Sequence, residues 1–366
     1  MLLAGLFTFV LNRAGLLSRL ETTFIDAQMK LDVPSEESQV VIVDITNSDF
    51  QQIFHERTRP LEPDALRKLI TAVATGRPCI IAVDIDTHFP KFKDFKMEDD
   101  WPPVVWAREI AEVPADIKQK PVPLDVLGGQ NPALNEKSGI PLLLDDAGKI
   151  TRSYVRLIET TDGKQPSFGW AIYKQRQSRK CGGITFPPLE EGTDPLMIRY
   201  SRSGEGIGRT KITSGKVIWF AEDPNWPQND LVKDKVVLIG GSYLGEDRHD
   251  TPLGTMTGVE VMANVVESEL RGGGIKPPSY LTMGLLLIFD GFLLLALFQF
   301  LPLRKALPLS LPVIVLLSLT CSFLTYRSFS RWAFFAPVMI GVMVAELLDM
   351  VRDIYKDRIR RLNEKS

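Results

Sequence analysis

The sequence predicts an α/β extracytoplasmic domain with a mostly parallel central sheet, joined to α-helical transmembrane segments. Two observations lead to this fold class. Three continuous apolar runs, rich in β-branched residues, precede residue 245 and are typical of strands buried on both faces of a parallel sheet. Residues 279–348 are almost free of charge, although 24% of the whole chain is charged. A water-soluble part and a membrane part are therefore separate.

The first two apolar runs flank a helical pattern. Residues 39–45 and 78–86 have the composition of buried strands, and residues 63–75 place aliphatic side chains at helical spacing before Gly76. A strand, a helix and a strand in this order form a βαβ unit. Such a unit predicts neighbouring parallel strands joined by a right-handed crossover.

The third apolar run, residues 235–242, also leads into a helix. That helix begins after Gly258, points Val261, Val265 and Leu270 inward, and ends in the glycines of residues 271–274. Further sheet and helix are expected between the second and third runs, in three segments: residues 148–159, 167–174 and 196–200. We expect one extracytoplasmic domain over residues 18–278.

The predicted membrane part contains three crossings. Residues 280–301, 306–326 and 332–348 are each close to the roughly 20 apolar residues that span the hydrocarbon. Residues 1–17 are interpreted as a short N-terminal transmembrane helix. The alternative for residues 1–17 is an amphipathic helix on the membrane surface.

Basic residues predict the orientation of these crossings. Arg304 and Lys305 in one joint, and the basic helical tail of residues 349–366, favour the cytoplasmic side, while Arg327 and Arg331 argue mildly against it. This orientation predicts a multi-pass protein of a bacterial inner membrane with a large periplasmic domain. Asp290 within the first C-terminal crossing is interpreted as an interhelical hydrogen-bonding group, and second as a signalling or proton-linked residue.

Composition excludes some classes of partner and site. The net charge is −2 and the soluble part has no long basic run, so no nucleic-acid partner is expected. The three cysteines form neither a disulfide framework nor a zinc spacing. Cys79 and Cys181 could pair in a periplasmic domain, but we favour a buried free thiol at Cys79, because cysteine is so often simply a core residue.

Polar residues at the carboxyl ends of the predicted strands form a candidate ligand site, since ligands of parallel sheets collect there. The site could hold a divalent cation or a polar solute, and the alternative is a set of loop anchors and caps. The candidate residues are Asp44, Thr46, Asp84, Asp86, Gly240, Gly241, Ser242, Asp247, His249 and Thr251.

No arrangement of nucleophile and base supports catalysis, so we expect neither an enzyme nor a resident cofactor or metal. A metal-dependent hydrolase would need Asp44, Asp84 and Asp247 near one common point.

Seven short segments follow one another in a characteristic order. They are Phe24-Ile25-Asp26, residues 40–46 (VVIVDIT), 82–86 (AVDID), 145–152 (DDAGKITR), 237–240 (VLIG), 251–254 (TPLG) and 258–264 (GVEVMAN). In this order they resemble the type-2 CHASE domain, an extracellular sensory module of bacterial receptors. The resemblance covers about residues 20–275, and the three C-terminal crossings follow the family's layout.

The resemblance implies a membrane-anchored sensor that works as a homodimer. Receptors of this family continue into a kinase, a cyclase or another effector, whereas this chain ends at Ser366. We therefore expect a separate effector protein. The alternative is a non-catalytic scaffold subunit of a larger membrane complex. The tail residues predicted to dock a partner or to meet anionic lipid are Arg352, Arg358, Arg360 and Arg361.

Overall fold

The computed structural model divides the chain into two compact units. One comprises residues 33–274, and the other comprises residues 1–32 together with 275–366. The structure describes residues 16–31, 37–55, 61–111, 120–129, 132–146, 148–201, 209–226, 230–245 and 247–276, with a few single positions beyond. The second unit contributes helix α1, Leu16–Leu31.

A six-stranded sheet forms the centre of the first unit, and each pair of neighbours in it runs parallel. Its spatial order is β10-β1-β11-β2-β3-β4. The strands are β1 (Val40–Ile45), β2 (Ile80–Asp84), β3 (Val104–Ala107), β4 (Ser138–Gly139), β10 (Lys211–Thr213) and β11 (Val236–Gly241).

Helices cover both faces of this sheet, which is why its central strands are apolar at almost every position. Helices α2 (Pro63–Thr75) and α4 (Ser214–Phe220) contact each other and lie against the face that carries Val41 and Val237. Helices α3 (Phe168–Gln177) and α5 (Gly258–Leu270) pack together on the opposite face.

Among the described residues, seven further strands form short antiparallel sheets outside the central sheet. Strands β5 (Leu143–Asp145), β6 (Thr151–Tyr154) and β9 (Leu196–Met197) form a three-stranded sheet. Two hairpins complete the set: β7 (Leu157–Thr160) with β8 (Gly163–Pro166), and β12 (Arg248–Thr251) with β13 (Gly254–Thr257).

The predicted α/β class, the mostly parallel sheet and the buried strands are confirmed. Helices α2 and α5 occupy the predicted segments, with Val261, Val265 and Leu270 buried. The expectation that the first two apolar runs are neighbours is wrong, because β11 lies between β1 and β2 and pairs with both. All three strands are apolar enough to be enclosed on both faces, so their composition does not determine which of them are neighbours.

The two cysteines of the first unit form a disulfide, so the expectation of a free thiol at Cys79 is wrong. Cys79 precedes β2, Cys181 follows α3, and their Cα atoms are 5.8 Å apart across a sequence separation of 102 residues. Cys79 is buried, as expected, yet burial alone did not distinguish a thiol from a bonded sulfur. The crosslink fixes the loop after α3 to the base of the central sheet.

The predicted crossings, 1–17, 280–301, 306–326 and 332–348, lie almost entirely outside the described residues. Single positions within and after them, such as Leu316, Phe323 and Tyr355, are helical. Within the part of the chain that the structure describes, no helix is both long enough and apolar enough to cross a bilayer.

Candidate functional site

A cavity of about 610 Å³ opens at the carboxyl ends of β2 and β11. Its floor is formed where β2 ends at Asp84 and β11 ends at Gly241. The first turn of α5 contributes Gly258 and Met262 to one wall, and strand β5 contributes Leu143 and Asp145 to another. Its volume lies in the range of small-molecule sites.

Half of the predicted ligand residues line this cavity. They are Asp84, Asp86, Gly241, Asp247 and His249. Asp84 ends β2 and Asp86 follows it, while the last two lie in the loop and hairpin after β11. The parallel sheet thus brings together residues that are more than 160 positions apart.

Asp44 lies near the same sheet edge but does not line the cavity. Its carboxylate accepts hydrogen bonds from the Ser242 backbone N–H (3.0 Å) and hydroxyl (2.9 Å), and it forms an ion pair with Lys211 at 3.0 Å. Lys211 also pairs with Glu260 of α5 at 3.2 Å. Asp44 and Ser242 therefore tie β1, β11 and β10 together.

The other three predicted residues also have local partners. At the start of a helical turn, the Thr46 hydroxyl accepts a hydrogen bond from the Asp49 backbone N–H at 3.2 Å. In return, the Asp49 carboxylate accepts one from the Thr46 backbone N–H at 3.3 Å. The Thr251 hydroxyl donates to the Gly254 carbonyl at 2.5 Å and closes the β12–β13 hairpin. Gly240 lies against Val259 of α5, where a side chain would meet that residue.

Asp84 is the least satisfied of the cavity carboxylates. Its side chain has no hydrogen bond or ion pair among the described residues, although it lines the cavity. The pKa of Asp84 is raised to about 7, chiefly by burial and further by the charges of Asp247 and Glu109, while His249 lowers it. The ionised form of Asp84 is therefore disfavoured at the floor of the cavity, and His249 offsets its charge only in part.

His249 connects carboxylates on two sides of the opening. Its Nε2 lies 3.0 Å from Asp247, and its Nδ1 lies 3.3 Å from the Thr151 hydroxyl, which itself donates to Asp145 at 2.5 Å. The hydrogen bond to Asp247 raises the pKa of His249, burial lowers it, and the charges of Asp247 and Asp145 add to the rise. A protonated imidazole donates from both nitrogens, so this geometry favours the cation.

Several wall residues were missed by the sequence reasoning. Glu109 follows the short strand β3 in a stretch without any motif, and Asp145 appeared only within the family resemblance. Tyr243 lines the cavity and stacks on Phe50 with ring centroids 4.2 Å apart, and Phe89 lines another side. Among the described residues, no three His, Cys, Asp or Glu groups lie close enough together to hold one metal ion.

The membrane and tail residues singled out in the sequence are mostly outside the described part of the chain. Asp290, Arg358, Arg360 and Arg361 all lie there. Arg352 is described, and it is helical and exposed, as the predicted tail helix requires.

Comparison with known proteins identifies the family. The family model of the CHASE2 domain matches residues 3–298, which is more than half of the chain. No match was found among the curated proteins or among the solved structures. The match agrees with the segments that carry the resemblance, including the loop and helix that form the cavity wall. The chain belongs to the CHASE2 family, whose domain is an extracellular sensory module.

Proposed function

We propose that this protein is a membrane-anchored extracytoplasmic sensor. A ligand or partner would bind in the cavity of the first unit, and the signal would pass across the inner membrane to a separate effector. The observation that carries the proposal is the position of the cavity, which lies at the carboxyl ends of parallel strands in a CHASE2 domain, against the first turn of α5. This role requires no catalytic step by the chain itself.

The route for the signal follows the order of the chain. Helix α5 contributes Gly258 and Met262 to the cavity, ends at Leu270, and is followed within a few residues by the apolar segments. A ligand shifts such an element only by binding its two states with different affinity. A small displacement of α5 is therefore the event that we expect cavity occupancy to produce.

Two further features support the location. The Cys79–Cys181 disulfide is of the kind that forms and persists in oxidising compartments such as the bacterial periplasm. Residues 279–348 are almost free of charge, as expected of segments that cross a bilayer. Membrane anchoring through the 279–348 region is therefore part of the proposal.

Co-purification tests the proposal. The full-length chain, tagged at its C-terminus, would be isolated from native membranes in mild detergent, and the bound proteins identified by mass spectrometry. We expect a kinase, a cyclase or another effector protein at a fixed ratio. A stoichiometric set of assembly proteins without any effector would contradict the proposal and support a scaffold subunit.

A further inference from the structure

The cavity walls carry a strong excess of negative charge. Five carboxylates line the cavity, from Asp84, Asp86, Glu109, Asp145 and Asp247, and the only basic group among its described lining residues is the imidazole of His249. An anionic ligand would be repelled by these groups. A cationic ligand would be attracted to them, and the concave site would strengthen that attraction.

Asp84 supplies an independent reason to expect a cation. Its partly buried carboxylate lines the cavity without a hydrogen bond from any described residue, and the charge of His249 offsets it only in part. A buried charge that the protein does not pair costs free energy. An ammonium group bound in the cavity would provide the partner that the described residues do not.

The arrangement of the carboxylates distinguishes between kinds of cation. Asp84 ends β2 and Asp86 follows it, Asp145 ends β5, and Asp247 lies beside the first turn of α5. These groups come from three different segments of the chain, and no trio of potential ligands in the described residues converges on one point. A cation whose charges are spread along a chain can reach several walls at once, whereas a single metal ion cannot.

The remaining walls suit an aliphatic chain. Leu143 and Met262 provide apolar contact, and the rings of Phe89 and Tyr243 line the same space. Tyr243 is held in place by its stacking on Phe50, at an interplanar angle of 4°. Aromatic faces attract ammonium groups, and aliphatic side chains bury the methylenes between them.

We propose that the cavity binds an organic cation with two or more ammonium groups on an aliphatic chain, that is, a di- or polyamine. The proposal rests on the ligand-binding role argued under the proposed function, and it names the chemical class of the ligand. Carboxylates on different walls would each receive an ammonium group, with Asp84 at the innermost position.

Isothermal titration calorimetry of the full-length protein in detergent micelles tests this proposal, with putrescine and spermidine as probes at pH 7.5. We expect saturable binding of at least one amine. Asp84→Asn should weaken it about tenfold, and Asp145→Asn should weaken it about threefold, because each removes one charge-assisted contact. Asp99→Asn removes an exposed carboxylate that does not line the cavity, and it should bind like the wild type.

Three results would overturn the proposal. The first is no saturable binding of either amine, and the second is equal affinity in the wild type and both cavity variants. The third is a titration with calcium chloride alone that saturates and is abolished by Asp84→Asn, which would assign the cavity to a metal ion. Each of these results leaves the sensor role intact if the effector still co-purifies with the chain, so the two proposals fail separately.

Discussion

At the scale of single residues, Asp84 lowers the stability of the domain when it is ionised, and it does so in the wall of the cavity. Its pKa is raised to about 7, first by burial and then by Asp247 and Glu109. A carboxyl whose folded pKa exceeds its unfolded value favours the folded state when it is protonated. That contribution is complete below about pH 4 and is lost as the pH rises through 7.

The first prediction follows from this pH dependence of stability. Asp84→Asn should raise the Tm of the full-length protein by roughly 5 °C at pH 8, because the amide carries no buried charge, and by about 1 °C or less at pH 4.5. Thermal unfolding followed by tryptophan fluorescence in micelles measures both values. Asp99→Asn serves as the control and should change neither. An equal gain at both pH values would refute the electrostatic explanation.

The second prediction concerns the buried ion pair of Arg156 and Glu269. Arg156 donates from Nε at 2.9 Å and from Nη2 at 2.8 Å to the two carboxylate oxygens, and both side chains are 3% exposed or less. Glu269→Gln leaves a buried guanidinium without its counter-charge, so we expect a loss of roughly 3–5 kcal/mol in unfolding free energy. Urea denaturation of the two proteins gives the difference.

The pair of Lys174 and Glu191 provides the matched control. Their side chains are 46% and 55% exposed, and the Nζ–Oε1 distance is 3.3 Å. Because solvent screens such pairs, Glu191→Gln should have almost no effect on stability. Comparable losses in the two variants would mean that removing a paired carboxylate lowers stability equally whether the pair is buried or exposed, and would contradict the prediction.

At the scale of elements, the first turn of α5 connects the cavity to the rest of the helix. A Cβ atom at Gly258 would collide with the Asp247 carboxylate, which approaches the backbone at this point. Any larger residue would force the Asp247 carboxylate to move, although the φ angle here imposes no strain. The start of α5 is also fixed by a capping box between Thr257 and Glu260.

The third prediction tests this contact. Gly258→Ala should push the Asp247 carboxylate away and weaken ligand binding in the cavity, while the exposed Asp247 side chain can rotate, so stability should change by about 0.5 kcal/mol or less. Gly192→Ala is the control, because a Cβ there would make only an ordinary contact, 4.0 Å from the Asp194 backbone nitrogen, and should cost little. Thermal unfolding and calorimetry on the two variants measure both effects. An unchanged affinity in Gly258→Ala would show that this turn does not shape the site.

The fourth prediction concerns the disulfide. Replacing both partners, Cys79→Ser with Cys181→Ser, releases a loop of about 100 residues in the unfolded chain, and we expect a loss of roughly 2–4 kcal/mol. Reductant should lower the Tm of the wild type toward that of the double variant. The double variant itself should be insensitive to reductant. A wild type that does not respond to reductant under unfolding conditions would contradict the crosslink.

Sequence patterns predicted the elements better than the way in which they meet. Continuous apolar runs identified β1, β2 and β11, because strands buried on both faces are apolar at nearly every position. Helical spacing identified α2 and α5, because each helix buries one face. No local sequence pattern encodes the order of strands in a sheet, so the place of β11 between β1 and β2 was missed. Contacts across the sheet determine that order.

The residues of the site could likewise be predicted only in part, because some of them depend on contacts between distant segments. Asp84, Asp86 and Asp247 were found because they stand at strand ends or in the loop that follows. Asp44 has an equivalent place in its strand, yet Lys211 comes from β10 and neutralises it. No local pattern predicts such a distant partner. Glu109 was missed because its strand is only four residues long.

At the scale of the whole molecule, the features that imply sensing lie in one continuous unit. The cavity, the disulfide and α5 all belong to residues 33–274, and the CHASE2 match covers all of them. The apolar segments then follow α5 in the sequence. A sensor of this kind requires that the cavity hold a ligand in its native setting.

Identification of small molecules carried by the purified protein tests that requirement most directly. The full-length wild type, Asp84→Asn and the control Asp99→Asn would be isolated from native membranes, denatured, and their released molecules compared by mass spectrometry. We predict a cationic compound that the wild type and Asp99→Asn release and that Asp84→Asn has lost. Identical sets of molecules from all three proteins would contradict the assignment of this cavity as the sensing site.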